Sequence, residues 1–315
     1  AITLSKTTTS VSESGTTDSI TVVLTTDPAT DVDISVTSAD TGEATVSTSE
    51  LTFTTNNWNT PQTVTVTGVN DGSVDGNITH NITLSVIDAQ SDNTYDPASD
   101  VVVQNTTADN DSAGFTITQS GGATAVAESG STDTFTVVLT AQPTNDVVIS
   151  VTSGDTSEAT LDKSSLTFTN GNWNSAQTVT VTGVNDDLDD GNIGVTITLA
   201  VVDGSSDDAF DNAANQTVAA TNSDNDSAGF TIAQSGGATT VTEGADTDEF
   251  TLVLNAKPAS DVVLSVVSSD TGEVTTGSST VTFTTNNWNT AQTVTLTGVN
   301  DDVDDGNVNS TITCL

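Results

Sequence analysis

The chain lacks positive charge almost entirely. Across 315 residues it has no arginine, and Lys6, Lys163 and Lys257 stand against 43 Asp and Glu, for a formal net charge of −40. A protein without a basic surface cannot neutralise phosphates, so nucleic acid is excluded as a partner. Attraction to an anionic membrane surface is disfavoured for the same reason. No apolar run approaches the length of a membrane span, so no membrane insertion is expected. The first residues are not expected to form a signal peptide. Methionine is absent, proline numbers five and aromatics are 4% of the chain. One cysteine, Cys314, rules out a disulfide framework within the chain. An acidic excess of this size keeps a chain soluble but destabilises its compact state by self-repulsion. Three lysines cannot offset it, so the counter-charge must come from solution, and divalent cations are the natural source.

What the chain does have is repetition. Trp58, Trp173 and Trp288 recur every 115 residues, each inside nearly the same phrase. The first reads Asn57-Trp58-Asn59-Thr60-Pro61-Gln62-Thr63-Val64-Thr65-Val66-Thr67-Gly68-Val69-Asn70-Asp71, and the versions from Asn172 and Asn287 differ only in detail. A fixed period decides the architecture before any residue chemistry. Three modules follow: 1–111, 112–226 and 227–315, each long enough to bury its own core. By the period, the third should run on to an Asp-Asn-Asp about 26 residues past Leu315, so it is expected to lack its last strand and the chain to be part of a longer array. The period also disposes of isolated residues. Cys314 matches Leu199 and Leu84, which marks it as a small core hydrophobe. His80 matches Val195 and Ser310, so no Ser/His pair recurs. Paired carboxylates could serve glycoside hydrolysis, but they lack a cleft of aromatics and Arg. The chain is not expected to be an enzyme.

Each module reads as short strands. In the second, Phe115-Thr116-Ile117-Thr118, Phe135-Thr136-Val137, 147–151, Leu166-Thr167-Phe168, Val179-Thr180-Val181, 195–199 and the flanks of Val218 alternate with period two and are rich in β-branched residues. Gly, Asn, Asp, Ser and Pro separate them. Seven strands at about ten-residue spacing predict an all-β fold, a seven-stranded Greek-key β-sandwich repeated end to end as a rod. The period equates Ile2 with Ile117, and Gly183, which breaks the Val/Thr alternation, is expected to mark a β-bulge.

Strand parity then places the loops. If the first strand runs up, the turns at Glu128, at Ser153-Gly154-Asp155, at Asp186-Asp187-Leu188-Asp189-Asp190 and at Asp224-Asn225-Asp226 share the far tip. Pro143-Thr144-Asn145, Trp173 and the 205–215 loop share the near tip. Trp58, Trp173 and Trp288 are expected to plug the near end of the core rather than to stack sugars, which would need aromatic company.

Many carboxylates at one tip raise one another's pKa or recruit a cation. Calcium takes six to eight oxygens from carboxylates and carbonyls on loops, which suits a cluster without His or Cys; zinc and softer metals do not. The phase of the repeat nominates the ligands: Glu13, Glu128 and Glu243; Asp40, Asp155 and Asp270; Asp71, Asp186 and Asp301; Asp75, Asp190 and Asp305; with Asp187 and Asp302 inside the acidic turns, and Asp109, Asp111, Asp224 and Asp226 in the closing elements. Gly72 and Val74 stand where the second repeat has Asp187 and Asp189, so the first site should hold fewer ions or bind more weakly. Only Ser227, Ala228 and Gly229 separate Asp226 from Phe230, so neighbouring modules must meet tip to tip. Asp207, Asp208 and Asp211 of the near-tip loop could add ligands across that joint. At ~3.3 Å per strand residue, each module should span roughly 40 Å.

A Glu after the first strand, an Asp-rich turn before the sixth and the closing Asp109-Asn110-Asp111-Ser112-Ala113-Gly114-Phe115, repeated from Asp224, resemble the Calx-β module. The Asn-Trp-Asn phrase resembles its bacterial cell-surface, adhesin-type branch. The resemblance covers all three repeats. It implies a Calx-β or Ig-like sandwich with Ca2+ at the C-terminal tip. One departure stands out: the family's acidic turn usually continues into Glu, whereas Gly191 and Asn192 follow here. These readings lead to a calcium-stiffened stalk or filament segment of an extracellular surface or adhesion protein. Its expected partners are neighbouring repeats of the same chain, with identical subunits in a filament or another cell surface beyond them. The alternatives are a calcium-sensing regulatory module, or a filament subunit that polymerises by strand complementation of the incomplete third domain.

Overall fold

A computed structural model describes residues 1–301, 303–304 and 306–315. Asp302 and Asp305, both expected among the metal ligands, lie outside the described residues. The protein is all-β. In the first repeat the strands are β1 (Ile2–Leu4), β2 (Thr8–Ser12), β3 (Thr17–Leu24), β4 (Val32–Ser38), β5 (Ala44–Val46), β6 (Glu50–Phe53), β7 (Gln62–Gly68), β8 (Ile78–Val86) and β9 (Val101–Ala108). They form two sheets, ordered β1-β3-β7-β5 and β2-β9-β8-β4-β6. The second repeat has the same two sheets. The alternation explains the sandwich: one face of each strand is buried between the sheets and the Thr-rich face is wet. Ile20, Val22, Val64 and Val66 of one sheet meet Ile34, Ile82, Leu84 and Val103 of the other, all fully buried. Phe135, Val137, Val179, Ile149, Ile197 and Leu199 do the same in the second repeat.

The seven expected runs become nine ladder segments, for two reasons. The first run switches sheets: β1 pairs antiparallel with β3, whereas β2 pairs parallel with β9. In addition β5, and its counterpart Ala159–Leu161, is a three-residue strand too short to show a period. The sheet switch corrects the alignment of the repeats. Ile2 faces Leu24 as Phe115 faces Leu139, so Ile2 corresponds to Phe115, not Ile117. The second repeat spends its two extra residues in the kink, where Gly121 and Gly122 take φ of 62° and 83°, conformations that favour glycine.

Gly183 does not mark a bulge. It pairs in register with Ala159. A Cβ there would lie 2.2 Å from the Ala127 carbonyl oxygen, and at Gly68 the same atom would lie 2.1 Å from that of Ser12. The glycine lets the end of the switched first strand cross close to the opposite sheet.

The third repeat contains Phe230–Gln234, Thr247–Leu254, Val262–Ser268, Val274–Thr276, Thr280–Phe283, Gln292–Gly298 and Ile312–Cys314. Cys314 faces Val266 as Leu84 faces Val36, half-buried against the third core. Residues 239–242, the counterpart of β2, form no strand among the described residues.

Each tryptophan packs against the core of its own repeat. Its carbonyl accepts the amide of Leu24, Leu139 or Leu254. The near-tip loop beside it is fastened by a buried aspartate. Asp92 accepts from the amides of Ala29 (2.5 Å), Thr30 (3.3 Å) and Thr94 (2.9 Å). Asp207 accepts from those of Thr144 (2.7 Å), Asn145 (2.8 Å) and Ala209 (3.0 Å). Asp207 is thus committed to its own loop rather than to a ligand set across the joint. The Thr94 amide, with the Thr94 hydroxyl and the Ala29 amide, holds the Asp92 carboxyl down to about 2. Its stabilising effect is therefore complete above the unfolded-state value near 3.8 and is lost as pH falls through about 2. The Asp92→Ala variant should melt below wild type at neutral pH, and the gap between the two melting curves should close as pH is lowered to 2.

Candidate metal centre

The far tips bring carboxylates together from loops distant in sequence. Among the described residues, four triads each offer one carboxylate oxygen per residue, with those oxygens all within 4.8 Å of one another. In the first repeat they are Glu13, Glu43 and Asp75, and Glu13, Asp109 and Asp111. In the second they are Glu128, Asp224 and Asp226, and Glu158, Asp186 and Asp190. Glu13 and Glu128 are 1% and 2% exposed, although each is a carboxylate at the end of a sandwich. The end of β2 carries Glu13 into the tip, where one of its oxygens accepts the Asn110 amide at 3.2 Å. The Asn225 amide does the same for Glu128 at 3.1 Å.

Backbone amides shape the turns around these groups. Asp71 accepts from the Ser73 amide and Asp186 from that of Leu188, both at 2.7 Å. Asp109 accepts from Asp111 (2.7 Å) and Gly76 (2.8 Å), and Asp224 from Asp226 and Gly191 (both 2.7 Å). This explains the Gly-Asn pair that departs from the Calx-β pattern. Gly76 and Gly191, at φ of 75° and 77°, aim their amides at the closing aspartate. Asn77 and Asn192 accept that aspartate's own amide at 3.2 and 3.1 Å.

Sequence reasoning missed Glu43 and Glu158. They are 6% and 8% exposed and lie three residues beyond Asp40 and Asp155. The signal was present, since Glu43, Glu158 and Glu273 are in phase at the 115-residue period. Asp40, Asp155 and Asp270 instead close their own turns, accepting from Gly42 (3.0 Å), Ser157 (2.9 Å) and Gly272 (2.9 Å). Among the described residues none of the three joins a triad, and neither does Asp71 or Asp187. Glu243 is exposed, beside a turn in which Ala245 takes φ of 70°. Asp301 shapes its turn by accepting the Val303 amide at 2.8 Å.

The electrostatics are those of a site short of positive charge. Burial raises the carboxyls of Glu13, Asp75, Asp111, Glu128 and Asp226, and neighbouring carboxylates raise them further. Glu43 is pushed up to about 7, by burial first and then by Asp75, Glu13 and Asp71. Buried oxygens of Glu43 (Oε2) and Asp111 (Oδ2) have no hydrogen-bond partner. Lys6 and Lys163 are engaged elsewhere, with Asp18 and Asp162. Converging carboxylate oxygens with unsatisfied, buried lone pairs fit a hard divalent cation such as Ca2+.

The acidic turns also build the joints. Ser73 bridges Gln142 and Leu188 bridges Lys257, each as an isolated parallel pair. The Gln142 amide donates to the Gly72 carbonyl and the Lys257 amide to that of Asp187, both at 2.6 Å. Val74 packs against the core of the second repeat. Thus the outer residues of the turn, Asp71 and Asp75, face the cluster, and the inner three face the next module.

No protein-family model and no curated protein sequence matches the chain. Among solved structures, it is similar to CBD12 from CALX1.2, at 14% identity over 63% of this chain and 79% of that one, with a TM-score of 0.28. It is also similar to the calcium binding domain CBD12 of CALX1.1, at 14% identity, 64% and 80% coverage and a TM-score of 0.28. The surface layer protein SbsC, domains 1-6, matches at 15% identity over 89% of this chain and 32% of that one, with a TM-score of 0.30. At such scores these likenesses decide nothing about the role of the chain.

The Glu43 carboxyl gives a test of the cluster without metal. Its folded-state value lies above the ordinary 4.5, so the stability it contributes is full below 4.5 and is lost as pH rises through about 7. With chelator present, the first repeat should melt higher at pH 5 than at pH 8, and Glu43→Gln should remove most of that difference. Added Ca2+ should reverse the trend, since it binds only the ionised carboxylates.

Proposed function

We propose that the protein is a structural stalk or filament segment of an extracellular surface protein, in which Ca2+ at the far tips stiffens the joints between modules. The observation that carries this is the double use of one turn. Residues 186–190 give two carboxylates to a triad and residues 71–75 give one, Asp75, with Asp71 close enough to raise the carboxyls of Glu13 and Glu43, and each turn gives three residues to the contact with the next module. A cation that fixes the outer residues fixes the geometry of the inner ones. All-oxygen, loop-borne ligands of high negative charge favour Ca2+ over Mg2+, which prefers fewer carboxylates and more water. Outside cells, where calcium is millimolar, even weak sites would stay filled. Its partners on this reading are the adjoining repeats, and the chain performs no chemistry.

A ligand that binds only the folded state stabilises it by about 2.7 kcal/mol at a hundred times its Kd. Saturating Ca2+ should therefore raise the melting temperature and narrow the range of particle lengths seen in solution scattering, and chelator should undo both. Asp75→Asn in the first repeat and Asp190→Asn in the second should each weaken binding by about tenfold or more and loosen only the joint that follows, since one lost carboxylate lowers the ligand charge that tunes affinity. Melting and scattering indifferent to Ca2+ would refute the reading. Micromolar affinity with a shape change confined to one joint would favour a calcium sensor instead.

A further inference from the structure

The two joints share a backbone plan but not a chemistry. At the first, the inner turn residues are Gly72, Ser73 and Val74, and the near-tip residue that receives them is Gln142. Val74 is packed against the second core with Ala113, and a Cβ on Gly72 would lie 3.5 Å from the Trp173 ring. This contact is neutral and largely apolar. At the second joint, the inner residues are Asp187, Leu188 and Asp189, and the receiving residue, at the same place in the repeat, is Lys257. Asp189 accepts the Ala228 amide at 2.7 Å. Together with Lys257, Phe230, Leu254 and Pro258 it lines a cavity of about 290 Å³.

We infer that the residue at this near-tip position, Gln142 or Lys257, is the specificity determinant of the head-to-tail interface, matched in charge to the turn it receives. The turn that gains two carboxylates meets the tip that gains a cation, and the turn that lacks them meets a neutral amide. Lys257 is exposed and its backbone amide makes the bridging hydrogen bond. Its side chain is therefore free to act through charge alone, over distances within the Debye length of about 10 Å at 0.1 M salt. Opposite charge across an interface fixes partner choice more than it adds affinity. A module carrying Lys257 thus selects an acidic turn, and one carrying Gln142 selects a neutral one. The repeats are not interchangeable in order.

The test uses the full chain with Cys314→Ser, donor and acceptor dyes on engineered cysteines across each joint, and the distribution of inter-dye distances as readout. It is run in chelator at low salt, so its failure would leave the calcium reading standing. Lys257→Glu should at least double the width of the distribution at the second joint and leave the first unchanged. Adding Asp187→Lys should restore the narrow distribution, because the hydrogen bond at Asp187 comes from its carbonyl. Lys257→Gln should fall between the two, and wild type in 0.5 M salt should widen at the second joint only. A melting curve for each variant separates a loosened joint from a damaged module. An unchanged width in Lys257→Glu and Lys257→Gln, or a widening that Asp187→Lys does not rescue, would overturn the inference.

Discussion

Repulsion among carboxylates gathered at one end of the first and second sandwiches is the force to which the rest of the structure responds. A β-sandwich needs only alternation and turns to close, and the interior of this one is ordinary. The tip is not. Glu13 and Glu128 are as buried as core valines, with carboxylates from three other loops around Glu13 and from two around Glu128. The main chain answers part of the charge: amides of Asn110, Asn225, Gly76 and Gly191 each donate to a carboxylate oxygen. Other oxygens, such as Glu43 Oε2 and Asp111 Oδ2, are buried without a partner.

The two ends of a module solve opposite problems with the same residue type. At the near tip, Asp92 and Asp207 each accept several hydrogen bonds, and the field of amides keeps Asp92 strongly acidic. At the far tip, burial and neighbouring carboxylates raise Asp75, Asp111 and Asp226, whereas Asp224, which accepts the amides of Asp226 and Gly191, is lowered. The difference lies in the ratio of amides to carboxylates, not in the side chain. At both joints the acidic far-tip turn of one repeat meets the near tip of the next.

Much of this was legible in the sequence. The tryptophan phrase measures the repeat, period-two alternation identifies the sandwich, and counting strand directions places Glu128, Asp186, Asp190, Asp224 and Asp226 at one end. The misreadings share a cause: they depend on which atoms meet, not on which residues alternate. Asp40 and Glu43 recur with equal fidelity, and only the turn geometry separates the residue that closes the loop from the one that enters the cluster. Gly183 looked like a ladder defect because sequence does not reveal the strand crossing above it. The tip-to-tip joints are expected from the short linker, but the sheet switch after Gln119 and the bonds that make each joint are hidden for a similar reason, since both are made largely by main-chain groups that every residue possesses.

The parallel pairing of β2 with β9 has a mechanical meaning. β9 carries the chain out of the module and β2 follows the three-residue β1 at its entry, and their pairs, from Thr8 opposite Gln104 to Ser12 opposite Ala108, are spread along the strand direction. Tension drawn through the chain would load these five pairs together, sliding one strand past the other, rather than peeling them apart one at a time. A module so connected resists extension as a lap joint does, by sharing the load along its whole seam.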